Sequence, residues 1–462
     1  MKRIGLLVSS LAFLALALTS CYWRPDLSSG GMRVDVSGIA ARAGNPGDVI
    51  RVYLIADGLL FSAGGDVPFM AEVPASGDPV QEQKISISGL AVGPKYKVLV
   101  GMGPVASGVF APTYYGESGL FLVNPNADTS VNVGLVNLNS FSGIDFSADL
   151  MGRNLVSVVG NGGVVAAEPR LLHYTYIDTF TPPYAFAPVQ SYDLAGDPNL
   201  SSHSINGLSQ GGISYSTWMN TTNGIVPFTT DGWLNDPTFT DNLAAPKDIL
   251  ESGSFPVIAA GFDFIFFRRA NGLGGNVATT GIPSPVWVNL DLPGVMDMAV
   301  GSGSAFFAAS SGAFALPPAF LQDTVPNLAA RRVAFSAPLP ILSLGVRTGT
   351  PSTLYMGTAD GVWYMSADES KLTFETPTPL TQVPETAGEK IERIAIHPTM
   401  LTSDNQAYLS RYWLFIKTWG TVYKLPFFAV FPGRPTGLAW DSAGVLYITG
   451  TEGLSAVYVG GS

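Results

Sequence analysis

Cysteine is nearly absent from this sequence. The single one, Cys21, excludes a disulfide framework and leaves no second thiol for a redox pair or a cysteine-rich metal site. Histidine is almost as scarce. His173, His203 and His397 lie far apart, no two have metal-ligand spacing, and they read as surface or turn residues. Charged residues are only 13% of the chain, and long helical patterns with Glu/Lys faces are missing. Apart from Gly207-Leu208-Ser209-Gln210-Gly211 no Gly-x-Ser-x-Gly run occurs, and there is no Walker loop or dinucleotide fingerprint. Nothing in the sequence therefore assigns a catalytic residue, a cofactor or a metal, and a binding role is favoured over catalysis.

What is present is turn chemistry and short apolar runs. There are 52 glycines and 34 prolines. Between them stand short runs of Val, Ile, Phe, Tyr and Thr, bounded by Gly, Pro, Asn and Asp, the pattern of an all-β chain with many turns. At 462 residues the chain is too long for one small sandwich and implies two or more domains. Without Lys2 and Arg3 the chain holds 22 basic residues against 35 acidic ones, about −13 in net charge. Nucleic-acid binding wants a basic stripe, so this balance argues against a nucleic-acid partner. It equally argues against electrostatic capture by anionic lipid. The plain consequence of the charge is solubility.

The first twenty residues have three zones. Lys2 and Arg3 form a positive start, Ile4 to Leu18 is an apolar run broken only by Gly5, Ser9 and Ser10, and Thr19 and Ser20 lead to Cys21. This describes a secretory signal, with a run too short for a comfortable membrane span. Leu18-Thr19-Ser20-Cys21 resembles the lipobox of bacterial lipoproteins. The resemblance implies cleavage before Cys21, a diacylglycerol on its sulfur and a membrane as partner through that lipid. Tyr22 stands where enteric bacteria use aspartate for inner-membrane retention, which leans towards the outer membrane, on its periplasmic face or at the cell surface. Residues 21–31 form a tether with Pro25, Ser28, Ser29, Gly30 and Gly31. Ten such residues span roughly 18 Å.

Residues 32–140 carry seven strand candidates: Met32–Ile39, Val49–Ala56, Pro68–Val73, Gln83–Ile87, Lys95–Gly101, Gly119–Val123 and Thr129–Leu138. Alternation is clear in 84–88 and 96–100, so one face is apolar. Seven strands in about 110 residues suit a β-sandwich. The stretch Ile87-Ser88-Gly89-Leu90-Ala91-Val92-Gly93-Pro94-Lys95-Tyr96-Lys97-Val98 resembles transthyretin-like and related Ig-like modules. That resemblance implies an aromatic anchored in the sandwich core beside a tight turn, in a module often used as a spacer.

From 141 to 462 the sequence repeats. Apolar strands such as 296–300, 342–346, 391–396 and 437–440 hold a small residue at Ala299, Gly345, Ala395 and Ala439, spaced 46, 50 and 44 apart. Second strands follow at 306–309, 354–357, 414–417 and 446–449. Each runs into a glycine turn, at Gly312, Gly361, Gly420 and Gly453, before a third strand. Weaker glycine turns fall at Gly163, Gly224 and Gly261. A unit of about 47 residues is the size of a propeller blade. Dividing the 318 positions of 145–462 by that unit gives between six and seven, read as seven blades with six as the alternative. Blades crowd at the axis, which requires small residues on the innermost strands, and the hairpin glycine supplies positive φ.

The run 354–368 resembles blades of Asp-box propellers, including the sialidase-like group, through Ser366 and Asp368. Ser370 replaces the box glycine, and Thr373-Phe374 falls one place late, so both matching residues are turn devices. Arg268, Arg269, Arg331, Arg332, Arg347, Arg393 and Arg411 do not map onto the sialidase arginine triad. The segment 174–242 is long and aromatic amid small polar residues. Tyr176, Tyr184, Tyr215, Trp218 and Trp233 form its candidate contact surface for protein or glycan, beside Tyr174 and Tyr192. Asp231, Asn235, Asp236 and Asp241 miss the EF-hand spacing. Three readings follow: a lipoprotein binding or scaffolding module for an envelope protein or glycan, a glycan-processing enzyme, and an outer-membrane assembly factor. The first and third predict a protein contact surface and no cluster of acid groups at the channel, whereas an enzyme requires two or three carboxylates and several arginines converging in one place.

Overall fold

The computed structural model describes residues 29–37, 47–57, 59–61, 69–75, 83–106, 109–125, 127–138, 143–160, 163–177, 185–210, 217–229, 238–239, 248–257, 262–269, 276–279, 288–289, 294–301, 304–309, 312–316, 333–335, 340–349, 351–367, 380–397, 405–418 and 420–458. The chain is all-β and divides into two compact units, 1–140 and 141–462. The leader, Cys21 and most of the tether lie outside the described residues. No described helix is long and apolar enough to cross a membrane.

Among its described residues the first unit has eleven strands: β1 (Ser29–Ser37), β2 (Asp48–Ala56), β3 (Leu59–Phe61), β4 (Ala71–Pro74), β5 (Gln83–Ala91), β6 (Lys95–Ala106), β7 (Val109–Phe110), β8 (Tyr114–Glu117), β9 (Phe121–Leu122), β10 (Asp128–Gly134) and β11 (Val136–Asn137). They form two sheets, one ordered β10-β1-β5 and one built on β11-β8-β6-β2-β3. The alternation in β5 puts Ile85 and Ile87 on one face. They share a core with Met32, Val34 and Val36 of β1 and with Ile50, Val52 and Leu54 of β2, so the two sheets pack face to face. Seven runs were expected. The additional strands are short pieces of two to four residues, and β10 and β11 split what reads as one run.

Tyr96 is buried and its hydroxyl donates to the Ala91 carbonyl at 2.8 Å. The turn between them needs Gly93 at φ +120°. The aromatic thus fills the core while its polar end closes the turn.

The second unit contains seven four-stranded sheets among the described residues. From axis to rim, blade 1 is Ser157–Gly160, Val164–Ala167, Leu171–Thr175 and Gln190–Asp193. Blade 2 is Ile205–Gln210, Thr217–Thr221, Gly224–Thr229 and Thr238–Phe239. Blade 3 is Ile249–Val257, Phe262–Arg269, Asn276–Thr279 and Val288–Asn289. Blade 4 is Val295–Val300, Ala305–Ala309, Gly312–Leu316 and Val333–Phe335. Blade 5 is Ile341–Arg347, Ser352–Thr358, Gly361–Ala367 and Thr381–Gln382. Blade 6 is Ile391–Ile396, Gln406–Ser410, Trp413–Thr418 and Thr421–Pro426.

Blade 7 takes three strands from the chain end, Pro435–Trp440, Val445–Gly450 and Gly453–Tyr458. Its fourth, β12 (Gly143–Phe146), comes from the unit's start. Each first strand packs beside the next, and blade 7 packs beside blade 1, so the ring closes as a propeller.

The small residues sit where that crowding demands them. A Cβ on Gly345 would lie 2.6 Å from Ile394 Cγ2 of the following blade, and one on Gly437 2.8 Å from Val158 Cγ1 of blade 1. The glycines between second and third strands adopt left-handed φ: Gly224 +134°, Gly312 +149°, Gly361 +102° and Gly453 +137°. Two expectations shift. In blade 6 the second strand is Gln406–Ser410, its turn passes Tyr412 without glycine, and Gly420 serves the next turn. Gly163 lies between the first two strands of blade 1, and Gly261 lies outside the described residues.

Candidate functional site

The innermost strands share an irregularity that controls what they present. A register shift interrupts pairing between Ile205 and Gly207, Ile249 and Glu251, Val295 and Asp297, Ile341 and Ser343, Ile391 and Arg393, and Pro435 and Gly437. Each is a bulge directly after a residue that anchors the strand, and a bulge re-aims the side chain that follows it. In blade 1, Ser157 takes the same place two residues after buried Leu155. One residue per blade is thus held at one level of the ring: Ser157, Gly207, Glu251, Asp297, Ser343, Arg393 and Gly437.

These side chains reach along the ring. The Leu208 amide donates to Ser157 Oγ at 2.9 Å, and the Leu344 amide donates to Asp297 Oδ2 at 2.6 Å. Both bonds run from this level in one blade to the following residue in the next. Glu251 carries the longer acid and meets its successor, because the carboxyl groups of Glu251 and Asp297 hydrogen-bond to each other. Two carboxyls bond only while they hold a proton between them. Arg268, from the second strand of blade 3, donates from Nε to Glu251 Oε2 at 3.0 Å. Arg393, two blades on and exposed, lies within electrostatic reach of Asp297.

Burial dominates the titration of this pair. It pushes Glu251 up to about 8, helped by the charge on Asp297 and opposed by Arg268. Asp297 is also raised by burial, against the pull of the Leu344 amide and of both arginines. The Glu251 side chain is still 27% exposed, so a water-accessible space reaches an acid otherwise ringed by protein. Chemically the arrangement offers a proton donor at neutral pH beside two guanidinium groups. Ser343 sits between Asp297 and Arg393, buried, with no hydrogen-bond partner for its hydroxyl among the described residues.

The aromatic candidates do not gather there. Tyr176 is 46% exposed, on blade 1. Trp218 is fully buried in the second strand of blade 2, where every residue is buried, and it belongs to the core and not to a contact surface. Tyr174 and Tyr192 are half-buried, and the Tyr192 hydroxyl donates to Asp197 Oδ2 at 2.8 Å. Tyr184, Tyr215 and Trp233 lie outside the described residues, as do Asp231, Asn235, Asp236, Asp241, Asp368, Ser370, Thr373 and Phe374. Ser366 lies in the third strand of blade 5.

The histidines differ from expectation, since all three are buried. His173 Nδ1 meets Ser191 Oγ at 2.8 Å across adjacent strands, and Nε2 meets Glu168 Oε1 at 3.0 Å. Burial holds His173 below the usual imidazole range despite Glu168. This chain ties the outer strand of blade 1 to a carboxylate already paired with Arg153 at 3.1 Å. His203 Nδ1 meets Thr221 Oγ1 at 2.9 Å, and His397 packs edge-on against Trp440. Among the described residues no group of three or more His, Cys, Asp or Glu is placed to hold a metal.

Sequence reading missed Glu251 and Asp297 as a pair. A signal existed: both stand two places before the small residue of an inner strand, where the other blades carry Gly, Ser or Arg.

No protein-family model matches the chain, and no curated protein matches it. Solved structures do. Virginiamycin B lyase from Staphylococcus aureus is 10% identical with a TM-score of 0.46, covering 68% of this chain and 99% of that one. The WD40 repeats of RRP9 are 11% identical with a TM-score of 0.47, covering 69% and 98%. The extracellular domain of a putative hybrid two-component system from B. thetaiotaomicron is 9% identical with a TM-score of 0.46, covering 68% and 39%.

Proposed function

We propose that this chain is an extracytoplasmic lipoprotein, held to the outer membrane by lipid on Cys21, whose propeller binds an envelope protein or a glycan. The first unit serves as a spacer of transthyretin-like or Ig-like type, a reading supported by the buried Tyr96 beside its glycine turn. The observation that carries the binding role is the charged level of the ring. Glu251, Asp297, Arg268 and Arg393 are brought together where packing alone is met by glycine or serine in other blades. Charged groups beside partly accessible space favour a polar ligand, recognised by paired hydrogen bonds from guanidinium and carboxyl.

A glycan array and envelope extracts would be offered to the mature protein and to its Arg393→Ala and Glu251→Gln variants. A ligand held by the parent and lost at least tenfold in both variants, with unchanged circular dichroism, supports the ring as the site. Equal retention by parent and variants removes it.

Two observations favour a glycan-processing enzyme as second reading: Glu251, Asp297, Arg268 and Arg393 converge in one place, as an enzyme requires, and Glu251 keeps its proton up to about 8, as a general acid requires. Turnover on a panel of fluorogenic glycosides, abolished in Glu251→Gln, would establish it. No turnover anywhere between pH 5 and 8 discards it.

A further inference from the structure

The first unit has two unlike ends. β1 begins at Ser29, opposite Ala91 of β5. Gly30 lies so close to Val123 Cγ1 and the Asn124 carbonyl that a Cβ would strike both. β10 runs parallel to β1 and therefore finishes at the far end, where β11 leads the chain away. The Ser29 end also holds the β5–β6 turn and the start of β6, where the Lys95 amide donates to Asp57 Oδ1 at 2.9 Å. β3 begins there, and β9 pairs there with Lys95 and Tyr96.

Three leucines stand on or beside that rim: Leu59 at 57%, Leu120 at 70% and Leu122 at 55% exposure. They are the most exposed large apolar side chains among the described residues. A single exposed leucine is ordinary. Three at one end, the end the tether joins, are not. Leu120 and Leu122 are two residues apart on extended chain, about 7 Å, and on one face. Leu59 is three strand spacings across the sheet, about 15 Å away, and leaves the rim from the face of Tyr96, whereas Leu122 leaves it from the opposite face with Lys95. The local charges are mixed, with Lys95 beside Asp57 and Lys97 paired to Glu117 at 2.6 Å, so contact would depend on apolar insertion and not on anionic lipid.

Seven residues lie between Cys21 and Ser29, so the eight steps from one to the other span at most about 28 Å of extended chain. We propose that this rim docks on the bilayer that holds Cys21, with Leu59, Leu120 and Leu122 entering its interfacial region. This rests on the reading of Cys21 as lipidated. The lipid supplies the anchor, and the leucines fix which end of the spacer faces the membrane.

The test uses the mature full-length lipoprotein in vesicles of phosphatidylethanolamine and phosphatidylglycerol containing a photoactivatable phospholipid. After irradiation, lipid adducts are mapped by mass spectrometry. Adducts are expected on 119–123 and 59–61, and at least fivefold fewer in a Leu59→Ser/Leu120→Ser/Leu122→Ser variant that keeps its circular dichroism. Protein that pellets with vesicles yet carries no adducts on these segments overturns the docking and leaves the anchor standing. If Cys21 proves unacylated in cells, the anchor reading fails. The same protein is then coupled through Cys21 to a maleimide lipid, and the adduct map decides the rim on its own. Adducts spread evenly over both ends of the unit also count against it.

Discussion

Glu251 holds its proton because its neighbours leave the anion badly solvated. In the unfolded chain it ionises near 4.5, and in the ring it stays protonated to about 8. Between those values the folded state binds more protons than the unfolded one, so stability falls as pH rises. Its contribution is whole below about 4.5 and lost as pH passes about 8. The groups facing it are Arg268 on its own blade and Asp297 on the next, and Asp297 faces the Leu344 amide and Arg393. Glu251→Gln keeps a hydrogen-bonding side chain and removes the titration. We expect the propeller transition of the parent to fall in Tm relative to Glu251→Gln between pH 5 and 9. Parallel Tm curves would contradict the shared proton. A second residue-scale prediction concerns Gly361, at φ +102°, where a Cβ would lie 2.8 Å from the Thr386 carbonyl oxygen. Gly361→Val combines a forbidden backbone region with that contact and should cost on the order of 2 kcal/mol. Thermal unfolding at neutral pH measures it.

At the scale of the element, the ring is held shut by β12. The Ser147 amide, just beyond that strand, donates to the Leu454 carbonyl at 2.9 Å. Ser147 is buried with φ −69°, which already suits proline. Ser147→Pro therefore acts on the closing ladder and not on the local backbone. We expect it to lower the propeller Tm by a few degrees and to speed amide exchange in Gly453–Tyr458, whereas Ser147→Ala should do neither. Exchange spread evenly over all blades would show that closure is not local. The inner strands were legible in sequence because crowding forces small residues at Ala299, Gly345, Ala395 and Ala439, and hairpin glycines mark most second turns. Blade 6 slipped by one strand because its turn at Tyr412 uses no glycine. Trp218 could not be placed because a strand buried on both faces has no alternation to read. The acid pair was hidden for a different reason. Glu251 and Asp297 are 46 residues apart, and only a bulge in each strand and the packing of adjacent blades bring them together.

For the whole molecule, the proposed anchor makes a prediction whose size follows from chain count. Each lipid methylene buried contributes about 0.8 kcal/mol, and a single acyl chain holds only marginally, with an association constant of about 10⁴ M⁻¹. A diacylglycerol on the Cys21 sulfur with an acylated amine places three chains in one leaflet, which makes release negligible. Cys21→Ser removes the only thiol in the sequence and with it every route to thioether lipid. The net charge of about −13 offers no electrostatic substitute, since an acidic protein is repelled by anionic headgroups. The three leucines of the first unit's rim cannot hold the protein alone, because they are single side chains on an edge and not a continuous apolar face. The serine variant should therefore move from the membrane pellet to the soluble extracytoplasmic fraction while keeping its circular dichroism. It should also take up no labelled palmitate. Palmitate still incorporated by the serine variant would place the lipid elsewhere. A parent protein found wholly in the soluble fraction would leave Leu18-Thr19-Ser20-Cys21 as the end of an ordinary export signal, and the propeller free of any membrane.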